Sequence, residues 1–320
     1  MPELIHEAAF QQTMDLVVEP ALAAMRQTVD MPLSTGGTLH AEIYTPDTAC
    51  RAVMILHGYT ESGEKFREMT WYFLKAGYSV FVPDHRGHGR SVREVEDTSV
   101  THVDCFGQYV QDTEQFLQEI VIPRTCGLPL CLYAHSMGGA IGAMLLMAHP
   151  YLFTRAVLTA PMIAPSTAPF PGWLARAMAG TMCALGRSRE RAFVGKPFDP
   201  ARETFEHAFA TSRARFDYYE QKRIRYAHLQ NCAPSYGWVR EALGVTRTLL
   251  DPENAARIAT PLLLCQAARD TVVLLPPQDA FVRLVKGATL EVFDARHELY
   301  CSEDRVMGPY VESVLGFLGQ

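Results

Sequence analysis

The chain has 320 residues, of which 48% are hydrophobic and 20% charged, enough apolar material for one large core without metals or covalent staples. Its formal net charge of −6 argues against nucleic acid as the main partner, since phosphate binding needs a basic face. The eight cysteines (Cys50, Cys105, Cys126, Cys131, Cys183, Cys232, Cys265 and Cys301) form no C-x-x-C pair, which disfavours a zinc site or a disulfide framework and suggests reduced, buried thiols.

The opening MPELIHEAAF lacks the basic and apolar regions of a signal peptide, and no run approaches the roughly 18 apolar residues that span a bilayer. A cytoplasmic protein is expected, free or peripheral to the inner membrane face. TLHAEIYT reads as an early strand, AVMIL (52–56) as a buried one ending at His57-Gly58, and 64–76 as a helix with Phe66, Met69, Phe73 and Leu74 on one side. YSVFV (78–82) is the next strand, followed by the polar turn DHRGHGRS and a helix over 105–121. LCLYA (130–134) then runs as a strand into a small-residue helix over 137–149, and RAVLTA (155–160) is again a strand. Strands apolar on both faces, alternating with helices, predict a mostly parallel α/β sheet covered on both sides.

That alternation stops over 162–250 and resumes with PLLLCQA (261–267), a helix near 277–286, a strand at 288–293 and a helix at 302–318. The expected organisation is a core in two parts, 1–161 and 251–320, with a helical cap inserted at 162–250. The cap has 13 basic against 7 acidic residues, and the rest of the chain 16 against 28. This reads either as a solvated helical surface or as a basic lid that meets anionic lipid head groups.

Chemistry is concentrated at LCLYAHSMGGAIG (130–142). A strand that turns directly into a helix bends sharply at Ser136 and presents its hydroxyl at the carboxyl edge of the sheet. Small residues must flank such a corner. The usual pattern is G-x-S-x-G, and Ala134 stands here in the first position. A serine needs a base, and His297, after the last strand, suits that role better than His57, His135, His85 or His88, which belong to turns. Asp270, after the strand that follows the cap, is the expected partner of His297, ahead of its sequence neighbours Asp294 and Glu298. The backbone amides of Met137 and Tyr59 are the expected oxyanion donors. No metal or organic cofactor is implied.

With HGYTES, DHRGHGRS, AHSMGGAIG, Asp270 and His297 in place, the chain resembles the lysophospholipase and monoacylglycerol-lipase family of α/β-hydrolases over about residues 37–320, least in the cap. The resemblance implies Ser136 as nucleophile, Asp270 as acid, His297 as base, Tyr59 and Met137 as oxyanion donors, and a cap over the site. It implies hydrolysis of a small ester substrate bearing one acyl chain, with transient membrane-surface contact through the cap; oligomeric state is not legible. The rivals are a proline-iminopeptidase-like peptidase, which would need an acidic anchor in the cap, a generic short-chain carboxylesterase, and a non-catalytic binding protein on the same fold. Dehalogenases and epoxide hydrolases are disfavoured, because they place a carboxylate where Ser136 stands.

Overall fold

The computed structural model describes residues 2–125, 127–193 and 195–320. Eight strands build one sheet: β1 (Gln27–Pro32), β2 (Thr38–Tyr44), β3 (Arg51–Leu56), β4 (Tyr78–Pro83), β5 (Leu130–His135), β6 (Arg155–Thr159), β7 (Leu262–Ala267) and β8 (Ala288–Phe293). In space they lie in the order β1-β2-β4-β3-β5-β6-β7-β8. β2 pairs antiparallel with β1 and β4, and every other pairing is parallel.

The central strands are buried on both faces, which is why their sequences show no polar alternation. Met54, Leu56, Leu132 and Ala134 point into one core with helices α2 (Gly107–Phe116) and α3 (Met137–Ala148). Val53, Ile55, Cys131 and Tyr133 point into the other, with α1 (Arg67–Lys75) and the C-terminal helix (Asp304–Leu318). The architecture is the expected α/β one.

Two elements escape the sequence pattern. Residues 10–25 are helical, burying Phe10, Met14, Val18 and Leu22 against the second core, and β1 forms the sheet edge. β1 is mostly exposed, so it carries no apolar run to announce it. The thiols also need correction. Cys131, Cys265 and Cys301 are buried, but Cys50 and Cys105 are exposed and Cys183 and Cys232 half-buried; Cys126 lies outside the described residues.

Between β6 and β7 the chain leaves the sheet and forms three longer helices, α4 (Gly172–Ala184), α5 (Arg213–Arg225) and α6 (Tyr236–Leu249). Ser212 and Ser235 start α5 and α6 by accepting from Arg215 N–H and Trp238 N–H. A short parallel ribbon, Val100–Thr101 on Ala233–Pro234, ties this excursion to the loop after β4. No helix among the described residues is long and apolar enough to cross a membrane.

Candidate active site

Ser136 follows β5 and caps α3, with φ +52° and ψ −116°. This is a rare region for a residue with a side chain, costing about 1–3 kcal/mol. The surroundings hold it. Ser136 N–H donates to Thr159 O at 3.1 Å, and Ser136 O accepts from Met162 N–H at 2.8 Å. A Cβ at Gly138 would lie 2.3 Å from Leu56 O and 2.5 Å from His57 O, so only glycine lets α3 start this close to β3.

Ala134 is not strained. It is a regular residue of β5, paired with Leu56 and Leu158, and the positive φ falls on Ser136 alone at this corner. Its methyl faces Gly142, where an added Cβ would meet it at 3.2 Å. The space that a glycine at 134 would supply is supplied by Gly142 one turn into α3.

His297 and Asp270 converge on Ser136 from the loops after β8 and β7. Ser136 Oγ lies 2.8 Å from His297 Nε2, and Asp270 Oδ2 lies 2.7 Å from His297 Nδ1. Asp270 Oδ1 accepts from the amides of Val272 and Val273 at 2.8 and 3.0 Å. Burial pushes the Asp270 carboxyl up, but the hydrogen bonds from His297, Val273 and Val272 outweigh it and hold the group below the usual range. Asp270 therefore keeps its charge, and its Nδ1 contact leaves Nε2 of a neutral His297 free to accept the serine proton.

The rival groups are committed elsewhere. Asp294 pairs with Arg269 and Arg305, and Glu298 with Lys65. His57 Nδ1 contacts Gly58 O at 2.8 Å while its Nε2 accepts from His85 N–H at 2.9 Å, and His135 Nδ1 contacts Thr159 O. His57, His85, His88 and His135 are all buried, and burial pushes each below the ordinary histidine range, His135 to about 3.

Tyr59 lies in the turn after β3 and Met137 is the first residue of α3, where the amide has no partner within the helix. The structure thus brings the turn 57–62 and the start of α3 to the same edge as Ser136. The Tyr59 ring packs on Trp238 of α6, centroids 4.2 Å apart, so the excursion between β6 and β7 touches this turn. Sequence reasoning missed Glu61, whose Oε2 accepts from Gly58 N–H at 2.6 Å. The available signal was a carboxylate inside the turn with Lys65 four residues on.

Two cavities flank the site. One, of about 200 Å³, is apolar and bounded by Phe170, Ala175, Ala179, Phe193, Trp238 and Leu243. The other, of about 390 Å³, is polar and bounded by Tyr59, Lys65, Tyr219, Glu220, Arg223 and Glu298 among others.

Fold and site together define a serine hydrolase of the α/β-hydrolase fold. Residues 47–304 match the family described as serine aminopeptidase, S33, and the chain belongs to that family. It is 31% identical over 285 residues to lysophospholipase L2 of Escherichia coli, covering 84% of this chain and 81% of that one. It is 27% identical to a probable lysophospholipase L2 of Haemophilus influenzae, covering 87% of each. Among solved structures it shares its fold with a monoglyceride lipase of Saccharomyces cerevisiae, at a TM-score of 0.73 and 17% identity over 92% of this chain and 94% of that one.

Proposed function

We propose that the protein hydrolyses carboxylic esters bearing a single acyl chain, of the lysophospholipid or monoacylglycerol class, through an acyl-Ser136 intermediate. The observation that carries this is the row Ser136 Oγ–His297 Nε2 and His297 Nδ1–Asp270 Oδ2, at 2.8 and 2.7 Å. In this reading His297 takes the hydroxyl proton as Ser136 Oγ bonds to the ester carbonyl carbon, then passes it to the departing alcohol. Asp270 orients His297 and stabilises the imidazolium. The amides of Tyr59 and Met137 receive the oxyanion, each worth roughly 3–4 kcal/mol of barrier. Water then repeats the cycle and frees the fatty acid.

The substrate class is supported by the relatives, named as lysophospholipases and monoglyceride lipases, and by the two unlike cavities, which suit an acyl chain on one side and a polar alcohol on the other. The excursion 162–250 acts as a cap. Trp173, Leu185 and Phe193, on or beside α4, are 71%, 68% and 50% exposed, and this apolar edge is the surface that would meet lipid during transient contact.

An acyl-chain series tests this, with glycerol and glycerophospho head groups in parallel, each offered as monomers and in vesicles. Long-chain monoacyl esters are expected to give the highest kcat/KM, raised further in vesicles. A preference for short soluble esters would favour a generic carboxylesterase. Cleavage of aminoacyl anilides without lipid ester hydrolysis would overturn the reading in favour of a peptidase.

A further inference from the structure

Behind the turn that carries the Tyr59 amide lies a buried charge cluster with no part in the proton transfers above. Glu61 is 5% exposed. Its Oε2 accepts from Gly58 N–H at 2.6 Å, and its Oε1 accepts from the Tyr300 hydroxyl. Lys65 Nζ lies 3.3 Å from Glu61 Oε1 and 2.5 Å from Glu298 Oε1, and His135 Nε2 lies 3.9 Å from Glu61 Oε1. Glu298 adjoins His297 in the chain, and Tyr300 follows three residues on. One carboxylate therefore joins the turn of the oxyanion donor to the loop of the base.

A buried ion pair is a poor way to gain stability, because desolvation offsets most of its attraction. The cluster does something an apolar patch could not: it supplies an acceptor to Gly58 N–H, beside the proposed donor. Thr60, next to that donor, has φ +61°, so this turn does not hold its shape by backbone preference alone. Burial pushes the Glu61 carboxyl up, while the Lys65 ammonium and the Tyr300 hydroxyl, with smaller contributions from the neighbouring histidines, more than offset it and keep the group ionised.

We propose that Glu61 is a positioning residue, which through Gly58 N–H, Tyr300 and the Lys65–Glu298 pair sets the separation between the Tyr59 amide and His297. The proposal rests on the acyl-serine reading and adds a residue that acts through its neighbours. Glu61→Gln keeps the size and one acceptor but removes the charge facing Lys65. Tyr300→Phe removes only a hydroxyl. Both variants are compared with the wild type in kcat, KM and affinity for two inhibitors sharing one acyl chain: a trifluoromethyl ketone, which forms a tetrahedral adduct on a serine, and the matching ether, which does not.

For Glu61→Gln we expect kcat to fall about 10- to 100-fold, in line with small misplacements of reacting groups, and KM to stay near the wild-type value. Ketone affinity should fall by the same factor as kcat/KM and ether affinity should hold; Tyr300→Phe should show the same pattern, smaller. Equal losses for ketone and ether, or wild-type kcat in both variants, would overturn the proposal. Should Glu61→Gln fail to fold, Tyr300→Phe decides by the same criterion. A wild-type protein that forms no ketone adduct on Ser136 would instead refute the acyl-serine reading beneath it.

Discussion

The Ser136 backbone stores strain that its neighbours pin in place, and the pinning rests on Gly138 and Gly142 rather than on a glycine at 134. Ala134→Gly, which would restore the common G-x-S-x-G pattern, should therefore gain no activity. It should lower stability by about 0.5–1 kcal/mol, because glycine in a strand loses more chain entropy on folding. Urea unfolding and ester hydrolysis measured together check this; a rise in kcat with unchanged stability would contradict it. At this scale the sequence was informative. The strand–serine–helix order gave Ser136, and the elements after the inserted helices gave Asp270 and His297. Glu61 was not legible, because its partners Gly58, Lys65, Glu298 and Tyr300 come from two distant parts of the chain that meet only in the fold.

Among the elements, the helices between β6 and β7 explain the uneven charge. Several of their cations are spent on carboxylates of the core: Arg189 on Asp104, Arg191 on Asp97, Lys222 on Glu19, and Arg215 on Glu68 and Asp304. The excess of basic residues there and the excess of acidic residues elsewhere are largely two sides of one contact. The buried Arg215–Glu68 pair, 2.8 Å apart, holds α5 to α1. Arg215→Met leaves Glu68 buried without its cation, which should destabilise the protein by roughly 3–5 kcal/mol. The double variant with Glu68→Leu should recover most of that. Denaturant midpoints measure both; a loss below about 1 kcal/mol for the single variant would show that α5 is held by other contacts. Sequence periodicity could count charges in this region but not pair them, since the partners lie more than a hundred residues away for Arg215 and Lys222.

Over the whole molecule, the same close packing that aligns the site buries four uncharged histidines. His57, His85, His88 and His135 have folded-state pKa values below the ordinary value near 6.5, chiefly through burial. Below pH 6.5 the unfolded chain takes up protons that the folded chain refuses, so stability is full above that pH and falls as pH drops toward the lowered values. Each histidine contributes at most about 1.4 kcal/mol per pH unit. Unfolding by urea at pH 7.5, 6 and 5 should give steadily lower midpoints; equal midpoints at pH 7.5 and 5 would contradict the burial of these rings. The parallel core was readable because its strands are apolar on both faces. The exposed edge strand β1 and the helical residues 10–25 were not, because edge position and tertiary packing, rather than a repeating pattern, decide their structure.

The central claim is that Ser136, activated by His297, carries the acyl group. A fluorophosphonate with a long alkyl chain, followed by peptide mass analysis, tests it most directly. The account predicts one adduct, on the peptide holding Ser136, formed more slowly when a long-chain monoacyl lipid is present and absent from Ser136→Ala. An adduct on another residue, or labelling and ester hydrolysis that persist in Ser136→Ala, would contradict it.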